Sequence, residues 1–132
     1  MTRQEQIFTA LERIGCKPKY DDKNALFIIF QMKYLHIIID NEDEDSFVSV
    51  IYPQFIEFEE GQETLFLAAC NKLTRDSKLA KVYVDHNQIS ASCEFFYYDT
   101  KSLEFCLRKC LRILSVMRTT FSNTLNELDE SE

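Results

Sequence analysis

Five cysteines and two histidines are the residues of this 132-residue chain best suited to chemistry. Cys106 and Cys110 stand four apart, a spacing that on a helix brings two thiolates within reach of one metal ion. The same positions equally suit small apolar side chains on a buried stripe, where free cysteine commonly sits. There is no CxxC pair, and His36 and His86 are isolated in the sequence. The expectation is therefore no metal and no cofactor. Nucleophilic catalysis needs Ser or Cys beside a base that a third group orients. Ser46, Ser49, Ser90 and Ser92 alternate along strand-like segments without a strained elbow motif. Cys93 with His36 is the one conceivable thiol–imidazole pair, if their strands are adjacent. Asp40 to Asp45 carries the charge of a calcium loop. Counted from Asp40, however, the EF-hand's sixth and twelfth positions hold Asp45 and Ile51, not Gly and Glu. It reads as a solvated hairpin loop whose charges discourage edge pairing. Glu57, Glu59, Glu60 and Glu63 precede a helix, where negative charge suits the helix dipole. Gly15 and Gly61 are the only glycines, too few for a phosphate loop. These patterns lead to the expectation that the chain is not an enzyme.

Size and charge narrow the field further. The length suits one domain with a real core. Eleven Phe and six Tyr make it rich in aromatics, and two Gly with two Pro imply short loops. The net charge of −7 is uneven: residues 1–66 hold 13 acids and 6 bases, residues 67–132 nine of each. Acidity of this kind argues against a nucleic-acid partner and against an anionic membrane surface. Lys72, Arg75, Lys78 and Lys81, with Arg108, Lys109, Arg112 and Arg118, form modest basic stretches. These read as helix-end compensation and a solvated helix face. No apolar run is long enough to span a membrane. The polar start, MTRQEQIFTALERIG, lacks an apolar signal core, and the odd number of thiols fits a reducing cytoplasm.

The elements that must position these residues follow from periodicity. Thr2 and Glu5 fit a capping box before a helix over about residues 3–14, with Ile7, Phe8, Leu11 and Ile14 at helical spacing and Gly15 as the stop. ALFIIF and KYLHIII read as strands joined at Gln31-Met32. SFVSVIY is a third strand interrupted by Pro53, and FIEFEE either extends it irregularly or leads into a helix. After Gly61, Leu65, Phe66, Ala69, Cys70 and Leu73 share one helical face. AKVYVD and QISASCEFFYY form a hairpin around His86-Asn87. Leu103, Leu107, Cys110, Leu114, Met117, Phe121 and Leu128 then predict one helix of about 25 residues, capped by Thr100 or Ser102 and broken in rhythm only at Thr124. The stripe fits a sheet-covering helix or a coiled-coil seam, and in a small α+β domain the former is expected. The order is α-β-β-β-α-β-β-α, an α+β fold with an antiparallel five-stranded sheet packed against helices mainly on one face. One domain spans 1–126, with a frayed acidic tail at 127–132.

Ala69-Cys-Asn-Lys-Leu73, Lys78-Leu-Ala-Lys-Val-Tyr-Val-Asp85, and Leu11-x-x-Ile14-Gly15 ahead of Tyr20 together resemble the YbjN-like family. That family is similar in architecture to class I type III secretion chaperones. The resemblance implies a bacterial cytoplasmic domain, commonly a homodimer, without ascribed enzymatic activity. Some members are described as sensory transduction regulators. The turn Asp85-His-Asn-Gln88 departs from the family's Asp-Gly, though Asn87 can supply a positive φ. There are no catalytic residues to carry over.

One helix layer leaves one sheet face in water, where polar residues are expected. Here that face would carry Tyr34, His36, Tyr83, Phe96 and Tyr98, together with Ile38. Such a surface is expected to bind a protein partner, a peptide or a second copy, unless the first helix or the segment after Pro53 covers it. The primary expectation is a non-enzymatic, chaperone-like interaction module. The alternative is a small-molecule-sensing regulator with a pocket between sheet and helices.

Overall fold

The computed structural model describes residues 1–39 and 46–130. The elements run α1 (Arg3–Arg13), β1 (Lys19–Tyr20), β2 (Leu26–Phe30), β3 (Lys33–Ile39), β4 (Phe47–Glu57), α2 (Glu63–Asp76), β5 (Ala80–Asp85), β6 (Gln88–Phe96), α3 (Thr100–Ser115) and α4 (Met117–Glu130). The antiparallel sheet has six strands in the order β1-β2-β3-β4-β6-β5. The five expected strands are all present. The sixth, β1, is only two residues long and too short to leave a periodic signal.

Local chemistry accounts for the turns and ends. The Thr2 hydroxyl accepts from Glu5 N at 3.1 Å, and the Glu5 carboxylate reaches back to Thr2 N, which is the anticipated capping box. Gly15 follows at φ +96°, a conformation that favours glycine. Both two-residue hairpin loops have two positive-φ residues, Gln31-Met32 (50° and 67°) and His86-Asn87 (53° and 60°), as the right-handed strand twist demands. β4 continues past Pro53 because a register shift between Tyr52 and Ile56 takes the proline out of the regular ladder. Gln54, at φ +45°, donates its N–H across the sheet to Ser90 Oγ at 2.8 Å.

The final stripe is two helices, not one. α3 is capped by Asp99, whose carboxylate accepts from Ser102 N at 2.7 Å. Thr100 and Ser102 therefore lie inside the helix, and Ser102 takes part in the cap as the box's N3 residue, its hydroxyl accepting from Asp99 N at 3.1 Å. The chain breaks at Val116, between Ser115, whose hydroxyl donates to Arg112 O, and Thr120, whose hydroxyl donates to Val116 O. Hydroxyls that bond back to their own helix carbonyls bend helices. The apolar rhythm persists across the break because Leu114, Met117 and Phe121 are all buried. Thr124 does not interrupt it: the residue is buried, with its hydroxyl donating to Thr120 O. The bend lets α3 pack on β6 and α1 while α4 packs on α2. Residues 127–130 belong to α4 rather than to a frayed tail, and Glu127 pairs with Lys72 at 3.3 Å.

All of the core lies between the sheet and the helices. Leu26, Ile28, Leu35, Ile37, Val48 and Val50 point into it from the sheet, and Ile7, Leu11, Leu107 and Phe121 from the helices. The outer edge of β5 is also closed at Val82. Thr74 of α2 receives the Val82 N–H at 2.9 Å and donates its hydroxyl to Val82 O at 3.2 Å. One side chain thereby satisfies both outward backbone groups of that residue. At the other edge, continuing the β1–β2 register would set Pro18 opposite Ile28. Pro18 is buried and has no N–H to offer a ladder.

Thr74→Val keeps the side-chain shape but removes the hydroxyl. It should lower unfolding free energy by about 1–2 kcal/mol, since two partly buried groups lose their partner. Urea denaturation against the parent measures this, and an unchanged midpoint would mean that water replaces the bond at no cost.

Candidate functional site

Side chains alternate across a strand, so the residues between the buried ones project from the helix-free face. There the register builds a straight row of five, Phe27–His36–Ile51–Ser92–Lys81, one from each of β2, β3, β4, β6 and β5. Ile38, Ser49 and Glu94 form the next row, and Phe47 with Phe96 the row beyond. Among the described residues no helix covers this face: Ile29 is 62% exposed, Ile38 55% and Phe96 63%. Phe27 stacks on Tyr34 with ring centroids 4.6 Å apart, Tyr34 meets His36 at 4.8 Å, and Phe47 meets Phe96 at 5.0 Å. The half of the face over β2 and β3 is thus a raised aromatic and aliphatic ridge.

Across β4 the same face sinks. Ser49, Ile51, Lys81, Tyr83, Ser92 and Glu94 line a shallow hollow of about 520 Å³. Its floor is made of small hydroxyl residues, and its rim carries the Lys81–Glu94 ion pair. Burial raises the Tyr83 phenol above its ordinary pKa, and the Asp85 carboxylate adds to the shift. Ser90 is fully buried and well satisfied, receiving Gln54 N–H and donating to Asp85 Oδ2 at 3.3 Å. Ser92, 1% exposed, differs, because its Oγ meets no hydrogen-bond partner of good geometry among the described residues. The neighbouring Tyr83 phenol approaches closely enough for a hydrogen-bonding interaction with Ser92 to lower its pKa, but the pair falls outside strict hydrogen-bond geometry. A buried polar atom left unpaired is costly and rare.

Of the residues expected on this surface, Tyr34, His36, Tyr83 and Phe96 lie on it together. Tyr98 does not, since β6 ends at Phe96 and Tyr98 projects, 89% exposed, from the link to α3. There Phe96, Tyr98 and Phe105 edge a second depression. Lys109 Nζ lies 5.3 Å from the centre of the Phe105 ring. Phe27, Ile29 and Ile51 belong to the open face but were hidden in the sequence. In LFIIF every position is apolar, so no alternation shows which side faces out. The unpaired Ser92 hydroxyl has no sequence signal at all.

The other candidate chemistries come apart. Cys93 points into the helix-side core, whereas His36 projects from the opposite face, and β4 separates their strands. A thiol–imidazole pair between them is therefore ruled out. Cys93 and Cys110 are both fully buried. A hydrogen bond between them, then burial, drives the Cys110 thiol pKa strongly upward. All five cysteines are free. Among the described residues, no three His, Cys, Asp or Glu side chains are grouped so as to hold a metal ion. The Asp40–Asp45 loop lies outside the described residues. The basic stretch near the α2–β5 link is largely neutralised: Lys72 pairs with Glu127, Arg75 with Asp76, and Lys81 with Glu94. Among the described residues, no helix is long and apolar enough to cross a membrane. No protein-family model matches the chain, and no curated protein matches it either.

Burial pushes the Cys70 thiol up to about 11, and it also raises Cys16 and Cys106. Unfolded thiols ionise near ~8.5. The folded state therefore binds more protons above that pH, and stability falls as pH rises. The contribution is intact below about pH 8.5 and is lost toward pH ~11. Urea midpoints at pH 7.5 and 10 should show the decline, and Cys70→Ala should flatten it.

Proposed function

We propose that this chain is a protein-interaction module of chaperone-like architecture, and that the open sheet face is its docking surface. The observation that carries this reading is the ridge of exposed Ile29, Tyr34 and Ile38 with half-buried Phe27 on a face with few charges, in a protein of net charge −7. Interface cores are enriched in aromatics and depleted of charge relative to the remaining surface. Contiguous apolar surface of this kind on a small domain marks a binding site. The way a partner approaches is also constrained. Thr74 occupies the outward groups of Val82, and Pro18 interrupts the other edge. A partner therefore packs across the face rather than adding a strand to it. The five free thiols fit a reducing compartment such as the cytoplasm. The small-molecule alternative has less support, because Ile7, Leu11, Leu107, Cys110 and Phe121 fill the sheet–helix layer where its pocket would lie.

Replacing Ile38 and Phe96 together by Ser removes apolar area from the face without touching the core. Association, read by sedimentation of the pure chain and by capture of a co-purifying protein, should drop at least tenfold while the circular dichroism spectrum is kept. Leu67→Ser, on the exposed side of α2, should leave association unchanged. Equal behaviour of the two variants would refute the docking surface.

A further inference from the structure

We infer that the occupant of the open face is a second copy of this chain, related by a two-fold axis that runs along β4. This rests on the reading of that face as a docking surface and specifies what docks there. β4 is the middle of the five long strands β2-β3-β4-β6-β5. The ridge lies on one side of it and the hollow on the other. Turning a second copy about an axis parallel to β4 places β3 over β6 and β2 over β5, twice over. Each ridge then enters the partner's hollow. The other in-plane axis, perpendicular to the strands, would set each strand over its own copy. Ridge would meet ridge, and the hollows would face each other empty, which close packing disfavours.

The register gives the contacts of the first arrangement. Across the row Phe27–His36–Ile51–Ser92–Lys81, Ile51 meets its own copy on the axis. His36 falls opposite Ser92, so the imidazole ring sits over the serine-lined floor of the partner's hollow. Phe27 falls opposite Lys81, presenting a ring face to an ammonium group. The contacts are self-complementary, as a two-fold interface requires. Size also agrees. Five strands at ~4.8 Å spacing and about seven residues of ~3.3 Å rise give a footprint of about 550 Å². Side-chain relief carries this toward the ~800 Å² that each partner contributes to a standard stable interface. Sheets stacked face to face with near-aligned strands are an ordinary packing.

The test places a thiol on the axis. Stacked sheets lie ~10 Å apart, too wide for a direct disulfide, so a short bis-maleimide is the probe. In a Cys16→Ser/Cys106→Ser background, Ile51→Cys should convert most of the chain to a covalent dimer bridged between the two introduced thiols, as mapped by peptide mass. Leu67→Cys in the same background should give only collisional background. His36→Ala should raise the dimer dissociation constant about tenfold, the size expected for truncating a ring at the centre of an interface. A chain that sediments as a monomer at 100 µM (about the upper working range), or a dimer that Ile51→Cys crosslinks no better than Leu67→Cys, would overturn the inference. If in that case the Ile38/Phe96 double variant still abolishes capture of another protein, the docking surface stands and only its occupant is wrong. If capture is also untouched, both fail.

Discussion

From Leu26 to Phe95, the strand side chains that point toward the helices are buried, and the same backbone pleat holds the opposite set away from the core. That one-sided layering is the constraint on which the rest depends. Four helices and one sheet share a single core, so among the described residues no element covers the sheet's other side. Its composition is then informative. Ser49, Ser90 and Ser92 are what a wetted face would carry, whereas Phe27, Ile29, Tyr34, Ile38 and Phe96 are not. Both kinds lie on one face: Phe27, Ile29, Tyr34 and Ile38 on β2 and β3, the serines on β4 and β6, with Phe96 at the end of β6.

The long elements were readable because their periodicity was clean. The Thr2–Glu5 box, the α2 face and the two hairpins follow directly from residue types at fixed offsets. What escaped were features with no periodic trace. β1 is defined by its pairing to Leu26 and Phe27, not by its own two residues. The break at Val116 preserves the apolar spacing from Leu114 to Phe121, so a pattern of hydrophobicity could not disclose it. The cap on α3 belonged to Asp99 because that carboxylate, one residue ahead, bonds Ser102 N.

The functional surface was partly legible for the same reasons. β3 and β6 alternate well enough to place Tyr34, His36 and Phe96, while the unbroken apolar run of β2 concealed Phe27 and Ile29. Strand order cannot be derived from local patterning. It was strand order that separated His36 from Cys93 and set His36 in line with Ser92. The thiols, conspicuous in the sequence, proved to be free packing residues, and burial raises the pKa of Cys70.

The hydroxyl that Thr74 lends to Val82 has a consequence for assembly. Lateral joining of sheets repeats one step without limit, each addition offering a fresh rim to the next, and so leads to fibrils. Stoppered on that flank by a threonine and hindered on the other by an imino acid, the ribbon has little means to lengthen. Stacking through a flat side, by contrast, exhausts its own adhesive surface once two molecules have met.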